Sequence, residues 1–488
     1  MKLGLYDKKK PTSIEKYGQK MIGRTFQDIY DSAIEQGILK ESPAEYAVKH
    51  ADKKYKGGMG NLVEECFFGY KANSDSGADF AEAGVELKVT PYKQTKKGYA
   101  AKERLVLTMI NYMEIIKERD FEHSHVWSKA QLMLLVWYLH ISGQSDLQST
   151  IDFVQLFTPP AADLEIIRED YGKIMAKIRA GKAHELSEGD TLYLGACTKA
   201  STSKDRRRQP FSQELAKPRA FSLKSQYMTY VLNNYIMPGK ATYEPILKAG
   251  QPLTDFETYV VGRIDAHKGE TVEELCRKFG LEKNAKSLQA MIAFRILGIK
   301  GNHAEEFEKA GIVVKSIRIG ANGKIKENMS FPAFKYRELA EETWETSTFG
   351  SYLQETRFFF VVFKADEGGV LHLVGGQFWN MPLGDIEGDV RSVWQEMHDI
   401  VKEGRIQLVI EANGKIRNNF PKQSQHPISH VRPHAQTRDD RYPLPEGTKL
   451  NITCKGSYGW DDITTYPKHC FWLNNSYIYS QLDDRFKK

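Results

Sequence analysis

The sequence has few cysteines and no long apolar run, and both absences exclude classes of protein. Its five cysteines, among 488 residues, include no CxxC pair and no zinc-site spacing, so we expect reduced thiols and neither disulfides nor structural zinc. No stretch of about 18 apolar residues occurs, which excludes a membrane-spanning helix and a membrane partner. The charged N-terminal residues do not fit a signal peptide, and we expect a cytoplasmic protein.

Nucleotide-binding signatures are missing as well. The sequence has no Walker loop and no GxGxxG motif that opens a helix after a strand, which argues against ATP or NAD as a cofactor. Lysine and arginine number 69 against 63 aspartates and glutamates, so the net charge is only +6. Such a small excess does not identify a partner, and the local distribution of charge has to do so.

Hydrophobic periodicity predicts mixed α/β structure. Helices are expected over residues 12–50, 61–68, 163–180, 221–235, 271–279 and 287–297. Strands are expected over residues 83–91, 104–111, 129–140, 312–319, 357–364 and 406–410. The first two of these strands are predicted to be neighbours in one mixed sheet. A segment rich in proline and glycine at 238–250 marks a boundary, so we divide the chain into domains 1–237 and 238–488.

Four short blocks recur in the same order in both halves, which indicates two copies of one domain. ADFAEAGVELK (78–88) aligns without gaps with EEFEKAGIVVK (305–315). Looser matches pair residues 103–112 with 355–364, 195–208 with 429–441, and 221–228 with 471–478. Each block is weak alone, and the shared order supports the inference.

One segment of the first half combines the charged groups of a metal-dependent nuclease. Glu86 and Lys88 are two residues apart in a predicted strand and therefore project from one face, with Asp79 just upstream. Two carboxylates at one point repel each other unless a divalent cation neutralises them, and a lysine supplies positive charge near an attacked phosphate. The set suits Mg²⁺-assisted phosphodiester cleavage. By itself, the spacing also fits a half-exposed strand with solvated charges.

The segment DFAEAGVELKVTP closely resembles the active-site segment of the MutH family. That family comprises a GATC-nicking mismatch-repair endonuclease and GATC-cutting type II restriction endonucleases of the Sau-three-A type. Further segments resemble the restriction branch in the same order: KERLVLTMINY, GKAHELSEGDTLYL, CTKA, RAFSLKSQYMT, SFPAFKY, HVRPH and FWLNN. The resemblance covers about residues 60–488. It implies two MutH-like domains of the PD-(D/E)xK fold, each a mixed central sheet flanked by helices, with Mg²⁺ as cofactor and GATC-containing double-stranded DNA as partner.

Position by position, the resemblance implies catalytic roles for Asp79, Glu86 and Lys88, with Asp79 and Glu86 as metal ligands. The family also has a lysine after a His-Val step at the start of a strand. HVWSK places Lys129 at this position. The alternative for Lys129 is an ordinary solvated lysine at a strand end.

The family has one more acidic residue, on a helix upstream of the active-site strand. Counting back from Asp79 or Gly69 gives Glu65, whereas counting forward from Gly60 gives Glu64. We favour Glu65 as this catalytic carboxylate, and Glu64 stays open.

Basic residues are concentrated between positions 195 and 224, where eight lysines and arginines accompany two acidic residues. Such a segment can follow phosphates and place cations on guanine edges, or it can be a solvated basic loop. The family places a base-contacting lysine where CTKA has Lys199. The predicted DNA contacts here are Lys199, Lys204, Arg206, Arg207, Arg208, Arg219 and Lys224. Ser222 stands near a tyrosine with which the nicking branch monitors adenine methylation, so we do not expect such sensing here.

The second half keeps the spacing of the motif but lacks two of its carboxylates. Glu306 and Lys315 keep the first and last charged positions, but Val313 replaces the second carboxylate and Phe294 the helix carboxylate. We therefore expect a domain that does not cleave DNA. It keeps the basic loop HVRPH, and we predict DNA contacts by Arg432, His434 and Arg438.

We interpret the sequence as a type II restriction endonuclease that makes a Mg²⁺-dependent double-strand cut at GATC. The C-terminal copy is expected to bind DNA and stimulate cleavage allosterically, and two chains can form a homodimer on DNA. One alternative is a MutH-like nicking endonuclease, although a single-domain nickase lacks the second half. The other is a catalytically inactive GATC-binding protein, against which the intact Asp79, Glu86 and Lys88 argue.

Overall fold

The computed structural model divides into two compact units. It describes residues 6–38, 58–70, 77–95, 98–141, 143–199, 202, 204–237, 239, 243–247, 255–285, 287–413, 416–437, 439–448, 450–454, 457–461 and 464–487. The first unit lies within Met1–Leu186, Asp190–Pro252 and Ala304–Gly311, and the second within Ser187–Gly189, Leu253–His303 and Ile312–Lys488. No helix in these described parts of the chain is long and apolar enough to cross a membrane. The domain boundary between 237 and 238 stays a prediction.

The first unit has a mixed sheet, an antiparallel sheet and helices around them, which confirms the predicted mixed α/β class. Its strands are β1 (Glu86–Thr95), β2 (Gly98–Ala101), β3 (Leu105–Met109), β4 (Met133–Leu139), β5 (Ile151–Phe157), β6 (Leu194–Thr198) and β7 (Arg219–Leu223). Its helices are α1 (Pro11–Gly18), α2 (Phe26–Glu35), α3 (Gly58–Leu62), α4 (Tyr112–Ile115), α5 (His125–Ala130), α6 (Ala161–Arg179) and α7 (Ser225–Val231). π-helical turns follow α3 at Val63–Phe68 and α7 at Leu232–Ile236.

The mixed sheet of the first unit has the strand order β2-β1-β4-β5. β1 runs parallel to β4 and antiparallel to β2, and β5 runs antiparallel to β4. Six of the seven residues of β4 are buried, as expected of a central strand covered on both faces. α2 begins with a capping box between Thr25 and Asp28 and buries one apolar face, Phe26, Ile29, Tyr30 and Ala33.

The first unit also contains a short helix from the second half of the sequence. This helix, α11 (Glu305–Ala310), packs with α7, and its Lys309 ammonium donates to a buried Asp163 oxygen at 2.6 Å. The carboxylate of Glu306 accepts from the backbone N–H groups of Ile246 and Leu247 at 2.8 and 2.9 Å. Glu306, predicted only as the counterpart of Asp79, therefore binds the backbone.

Five predictions for the first unit differ from the structure. The helix expected over 12–50 is interrupted between α1 and α2, where Ile22 is extended and Thr25 caps α2, and residues 39–50 lie outside the described residues. β1 continues through Pro91 because β2 pairs with it only from Tyr92 onward, so the missing N–H of Pro91 breaks no ladder bond on that side. β1 and β3 are not neighbours: β3 belongs to the second sheet, of order β3-β7-β6. The strand expected over 129–140 begins with α5, which Ser124 caps, and the helix expected over 221–235 begins with β7.

The second unit is also mixed α/β. Its helices are α8 (Phe256–Asp265), α9 (Val272–Phe279), α10 (Leu288–Ile296), α12 (Tyr336–Glu341), α13 (Thr348–Glu355), α14 (Leu383–Asp385), α15 (Arg391–Lys402), α16 (Asn475–Ser480) and α17 (Asp484–Lys487). Its strands are β8 (Val313–Ile319), β9 (Met329–Ser330), β10 (Phe358–Ala365), β11 (Leu371–Trp379), β12 (Gln407–Ile410), β13 (Ile416–Asn418), β14 (Ser429–Pro433), β15 (Arg441–Pro443), β16 (Leu450–Cys454), β17 (Ser457–Asp461), β18 (Thr465–Pro467) and β19 (His469–Leu473). The sheets have the orders β11-β10-β8, β13-β12-β16-β17, β14-β19-β9 and β15-β18.

Strand pairings in the second unit follow those of the first. β8 runs parallel to β10 with Val313 opposite Phe358, as β1 runs parallel to β4 with Glu86 opposite Met133. β19 lies antiparallel between β14 and β9, as β7 lies antiparallel between β6 and β3. The predicted match of residues 103–112 with 355–364 is therefore wrong, because β10 takes the place of β4 and not of β3. Both are buried apolar strands, which the sequence pattern does not distinguish.

Candidate active site

Three charged side chains meet at the start of β1. Glu86 is buried, and its two carboxylate oxygens accept from the ammonium groups of Lys88 and Lys129, each at 2.9 Å. The alternation of a strand places residues 86 and 88 on one face, and the contact between their side chains confirms this prediction. One carboxylate is thus held by two cations from different parts of the chain.

Asp79 is fixed beside this strand by its backbone. Its Oδ2 accepts from the N–H of Leu87 at 2.8 Å. The chain between them folds back in a tight turn in which Phe80 N–H donates to Val85 O at 2.9 Å. Gly84 has a φ of 64°, a conformation that favours glycine. The turn in AEAG therefore brings the carboxylate of residue 79 next to that of residue 86.

Lys129 lies in the last turn of α5, so the prediction that it starts a strand is wrong. It is buried, and besides Glu86 it donates to the carbonyl of Gly77 at 2.5 Å. This contradicts the alternative of a solvated lysine. Lys129 links the segment before Asp79 to the carboxylate on β1 and so fixes the two acidic positions relative to each other.

Glu64 belongs to the same electrostatic environment. Burial raises the pKa of Glu64 to about 7, and the negative charges of Asp79 and Glu86 contribute to this rise. Glu64 lies in the π-helical turn Val63–Phe68, which ends at Gly69 with a φ of 70°. A π-helical turn holds about one residue more than an α-helical turn, so counts from its two ends differ by one residue. This difference explains the ambiguity between Glu64 and Glu65. The electrostatic interaction of Glu64 with Asp79 and Glu86 favours Glu64 as the helix carboxylate.

The charge balance of these groups fits a divalent cation. Burial raises the pKa of Asp79, and the neighbouring charge of Glu86 raises it further. Carboxylate oxygens that repel each other in a partly buried site are the donors that hard divalent cations prefer. Within the described ranges, no three acidic, cysteine or histidine side chains are already placed to ligate one ion. The lysines at Glu86 instead balance part of the charge.

Tyr70 is a site residue that the sequence analysis missed. Its N–H donates to the Glu64 carbonyl at 3.1 Å, and its ring packs edge-on against Phe80, with 5.4 Å between centroids. Its buried hydroxyl has no hydrogen-bond partner in the described part of the chain. Burial raises the pKa of this hydroxyl, as do the charges of Asp79 and Glu64. The signal in the sequence was its position directly after the glycine that ends the helix.

The predicted DNA contacts of the first unit fall into two groups. Five of them follow β6 in the chain and are exposed: Lys199, Lys204, Arg206, Arg207 and Arg208. The other two, Arg219 and Lys224, are buried. Arg219 donates to the carbonyls of Ala196, at 2.5 Å, and Leu186, and Lys224 donates to the carbonyl of Thr191. Their burial contradicts a contact with DNA, and both leave the candidate set.

Two of the three predicted DNA contacts of the second unit lie at the end of β14: Arg432 is in the strand and His434 follows it directly. This segment is therefore partly a strand where we expected a loop. Arg432 is exposed, with its guanidinium over the Trp472 ring, 5.6 Å from the centroid. His434 is half-buried, with Nδ1 at 3.3 Å from the sulfur of Cys470. Arg438 lies outside the described residues.

Comparison with known proteins gives one relative that covers most of the chain and others that cover about a third of it. The family model of the DNA mismatch repair enzyme MutH matches residues 68–170. The type II restriction enzyme Sau3AI of Staphylococcus aureus is 39% identical over 462 residues, covering 88% of this chain and 93% of that enzyme. The DNA mismatch repair proteins MutH of Shewanella baltica and Shewanella woodyi are 27% and 28% identical over 187 residues, or 37% of this chain. The predicted resemblance to the MutH family is confirmed.

Proposed function

Because the chain belongs to the family of the type II restriction enzyme Sau3AI and is thereby a site-specific deoxyribonuclease, we propose that it cuts both strands of duplex DNA at GATC with Mg²⁺ as cofactor. The observation that carries this proposal is the meeting of Glu86, Lys88 and Asp79 at the start of β1. This arrangement of carboxylates and lysine suits metal-assisted phosphodiester hydrolysis.

Asp79 and Glu86 would hold the cation, and we assign the third carboxylate to Glu64 rather than Glu65. Type II restriction endonucleases of this kind generally use a divalent metal. When bound, it supplies positive charge to the attacked phosphate and favours the ionised form of water. Burial raises the pKa values of Glu64 and Asp79, and neighbouring carboxylates raise them further. These shifts support the assignment, because a bound cation would favour the ionised form of both groups.

The two lysines have different roles in this proposal. Lys88 is half-buried at the surface of the site, where its ammonium can bind a phosphate oxygen or orient the attacking water. Lys129 is further inside and acts as a positioning residue, since it holds Glu86 and the Gly77 carbonyl together. Glu86 would hold the cation while these lysines balance part of the charge of its carboxylate.

DNA recognition is assigned to the exposed basic segment after β6. Lys199 is proposed to contact a base, and the cations at Lys204, Arg206, Arg207 and Arg208 are proposed to contact phosphates. Their exposure supports these roles, because side chains that reach into a groove must be free of the protein interior.

The second unit is proposed to be a MutH-like copy that binds GATC-containing DNA without cutting it and stimulates the first unit. The equivalent pairings of β8 with β10 and of β1 with β4 support a common origin. Val313 at the position of Glu86 removes a metal ligand. Exposed Arg432 and nearby His434 support a retained contact with DNA. Two chains would then supply the two active centres that a double-strand cut needs.

The test is digestion of closed circular plasmid that carries GATC sites, with Mg²⁺, with EDTA and with the Glu86→Gln variant. We expect linear fragments ending at GATC with Mg²⁺ alone, and intact plasmid in the other two reactions. Open circles that never become linear would identify a nicking enzyme instead. Intact plasmid with Mg²⁺, together with binding of GATC duplexes, would identify a binding protein that does not cut.

A further inference from the structure

A groove in the second unit is lined by β8 and the residues that follow it. Its volume is about 980 Å³, and its walls come from residues 315–322 and 324–330 with smaller contributions from Asn475 and Ile478 of α16. β8 is the edge strand of its sheet, so this side of the strand is open to a ligand. The groove follows the strand that takes the place of the nuclease strand β1.

The groove has an excess of positive charge that the described residues do not balance. Glu327 is neutralised by an ion pair with Arg318. Lys315, Lys324 and Lys326 also line the groove, and none of them has an ion-pair partner in the described ranges of the chain. Side-chain amides, among them that of Asn475, add polar groups to the same walls. A groove with three uncompensated ammonium groups favours an anion.

Lys315 is the most unusual of these cations. It takes the place of Lys88, but Lys88 pairs with Glu86, whereas the residue two positions before Lys315 is Val313. Lys315 is partly buried, and this burial lowers its pKa. An anion from outside the chain would favour the charged form of this partly buried lysine.

We propose that this groove binds a phosphate group of double-stranded DNA, with Lys315 as its central contact. The proposal rests on the proposed function, in which the second unit binds DNA, and it names the site. The place that holds a cleavable phosphate in the first unit would hold an intact one in the second, since Lys315 persists there and the metal ligands do not. Lys324 and Lys326 would contact neighbouring phosphates along the strand.

The test compares the wild-type chain with the full-length variant Lys315→Met. The matched control is Lys402→Met, which removes the charge of an exposed lysine on α15, outside the groove. Binding of a labelled GATC duplex is measured in EDTA over a range of salt concentrations. For Lys315→Met we expect about tenfold weaker binding at the second site and a salt slope smaller by about 0.9, the value for one lost phosphate contact. The control should bind as the wild type does.

Three further measurements separate the outcomes. Stimulation of cleavage by an added GATC duplex should be lost in Lys315→Met and kept in Lys402→Met. A wild-type protein that does not cut would refute the proposed function. Unchanged binding and stimulation in Lys315→Met would refute only the proposal that the groove binds a DNA phosphate. If millimolar inorganic phosphate stabilises the wild type but not the variant, and duplex binding is equal, the site is for free phosphate and the DNA assignment is wrong. The pair Lys324→Gln and Lys326→Gln repeats the test on more exposed side chains, should Lys315→Met not fold.

Discussion

Lys129 and Glu86 are 43 residues apart in the sequence, yet the Lys129 ammonium donates to a Glu86 oxygen at 2.9 Å. The same ammonium binds the carbonyl of Gly77, two residues before Asp79. A single buried cation therefore connects the two acidic positions of the site. A lysine in this place does more than balance charge, because it sets the geometry of both carboxylates.

Replacing Lys129 with methionine should slow cleavage at least 100-fold and leave duplex binding nearly unchanged. The methionine keeps the volume of the buried side chain but removes the donor that holds Glu86 and Gly77. The measurement is single-turnover cleavage of a GATC duplex beside a binding titration in Ca²⁺. Lys117→Met, at an exposed lysine, is the control and should cut normally. Cleavage by Lys129→Met within twofold of the wild type would contradict the positioning role.

Glu64→Gln and Glu65→Gln should have different effects on cleavage. Glu64 shares the field of Asp79 and Glu86, so its loss should reduce the rate by 100-fold or more, whereas Glu65→Gln should cut within a few-fold of the wild type. The two variants differ by one position and carry the same substitution, so each is the control for the other. A larger loss in Glu65→Gln would restore the original prediction.

Tyr70→Phe should lower the cleavage rate about tenfold and raise the Mg²⁺ concentration needed for half-maximal rate. We expect the hydroxyl to donate to a carboxylate or to water when the cation and DNA are bound, a contact worth about 1.4 kcal/mol. Thermal stability without metal should be unchanged or higher, since the variant removes a buried hydroxyl that has no partner in the described chain. Tyr193→Phe removes another such hydroxyl and should leave cleavage unchanged. Equal rates for both variants would make Tyr70 a packing residue only.

His469 should make the stability of the second unit depend on pH. Burial lowers its pKa from 6.5 to about 4, so between these values the unfolded chain binds a proton that the folded chain does not. Stability is therefore fully present above pH 6.5 and is lost as the pH falls toward 4, by up to about 1.4 kcal/mol per pH unit. Urea unfolding from pH 7 to 5 should show a smaller decrease for His469→Gln than for the wild type. His372→Gln is the control, because contacts with Gly269 and Asp366 raise the pKa of His372 and give the opposite slope.

The sequence predicted the residue types of the site better than it predicted their positions in the fold. Glu86 and Lys88 follow from the alternation of a strand, which is a local rule. The one-residue uncertainty at Glu64 could not be resolved, because periodicity does not reveal a π-helical turn. Arg219 was misassigned because a count of charges does not distinguish an exposed cation from one that binds buried carbonyls.

The sequence pattern also could not predict which strands are neighbours in a sheet. β1 and β3 each have a recognisable strand pattern, but nothing local states that they belong to different sheets. The same limit produced the wrong match between residues 103–112 and 355–364, since any buried apolar strand resembles another. The order of blocks along the chain was more informative than the content of each block.

Helix α11 has a consequence for how this protein can be divided. The chain leaves the second unit to form α11 within the first and then returns, so no single cut in the backbone separates the two units. A gene fragment that stops near residue 252 encodes an incomplete nuclease half, in which Asp163 loses the buried ammonium of Lys309. Chimaeras that exchange halves between relatives should therefore transfer residues 304–311 together with the N-terminal part. The smallest part of the chain that contains the complete first unit is therefore encoded by separate stretches of the gene.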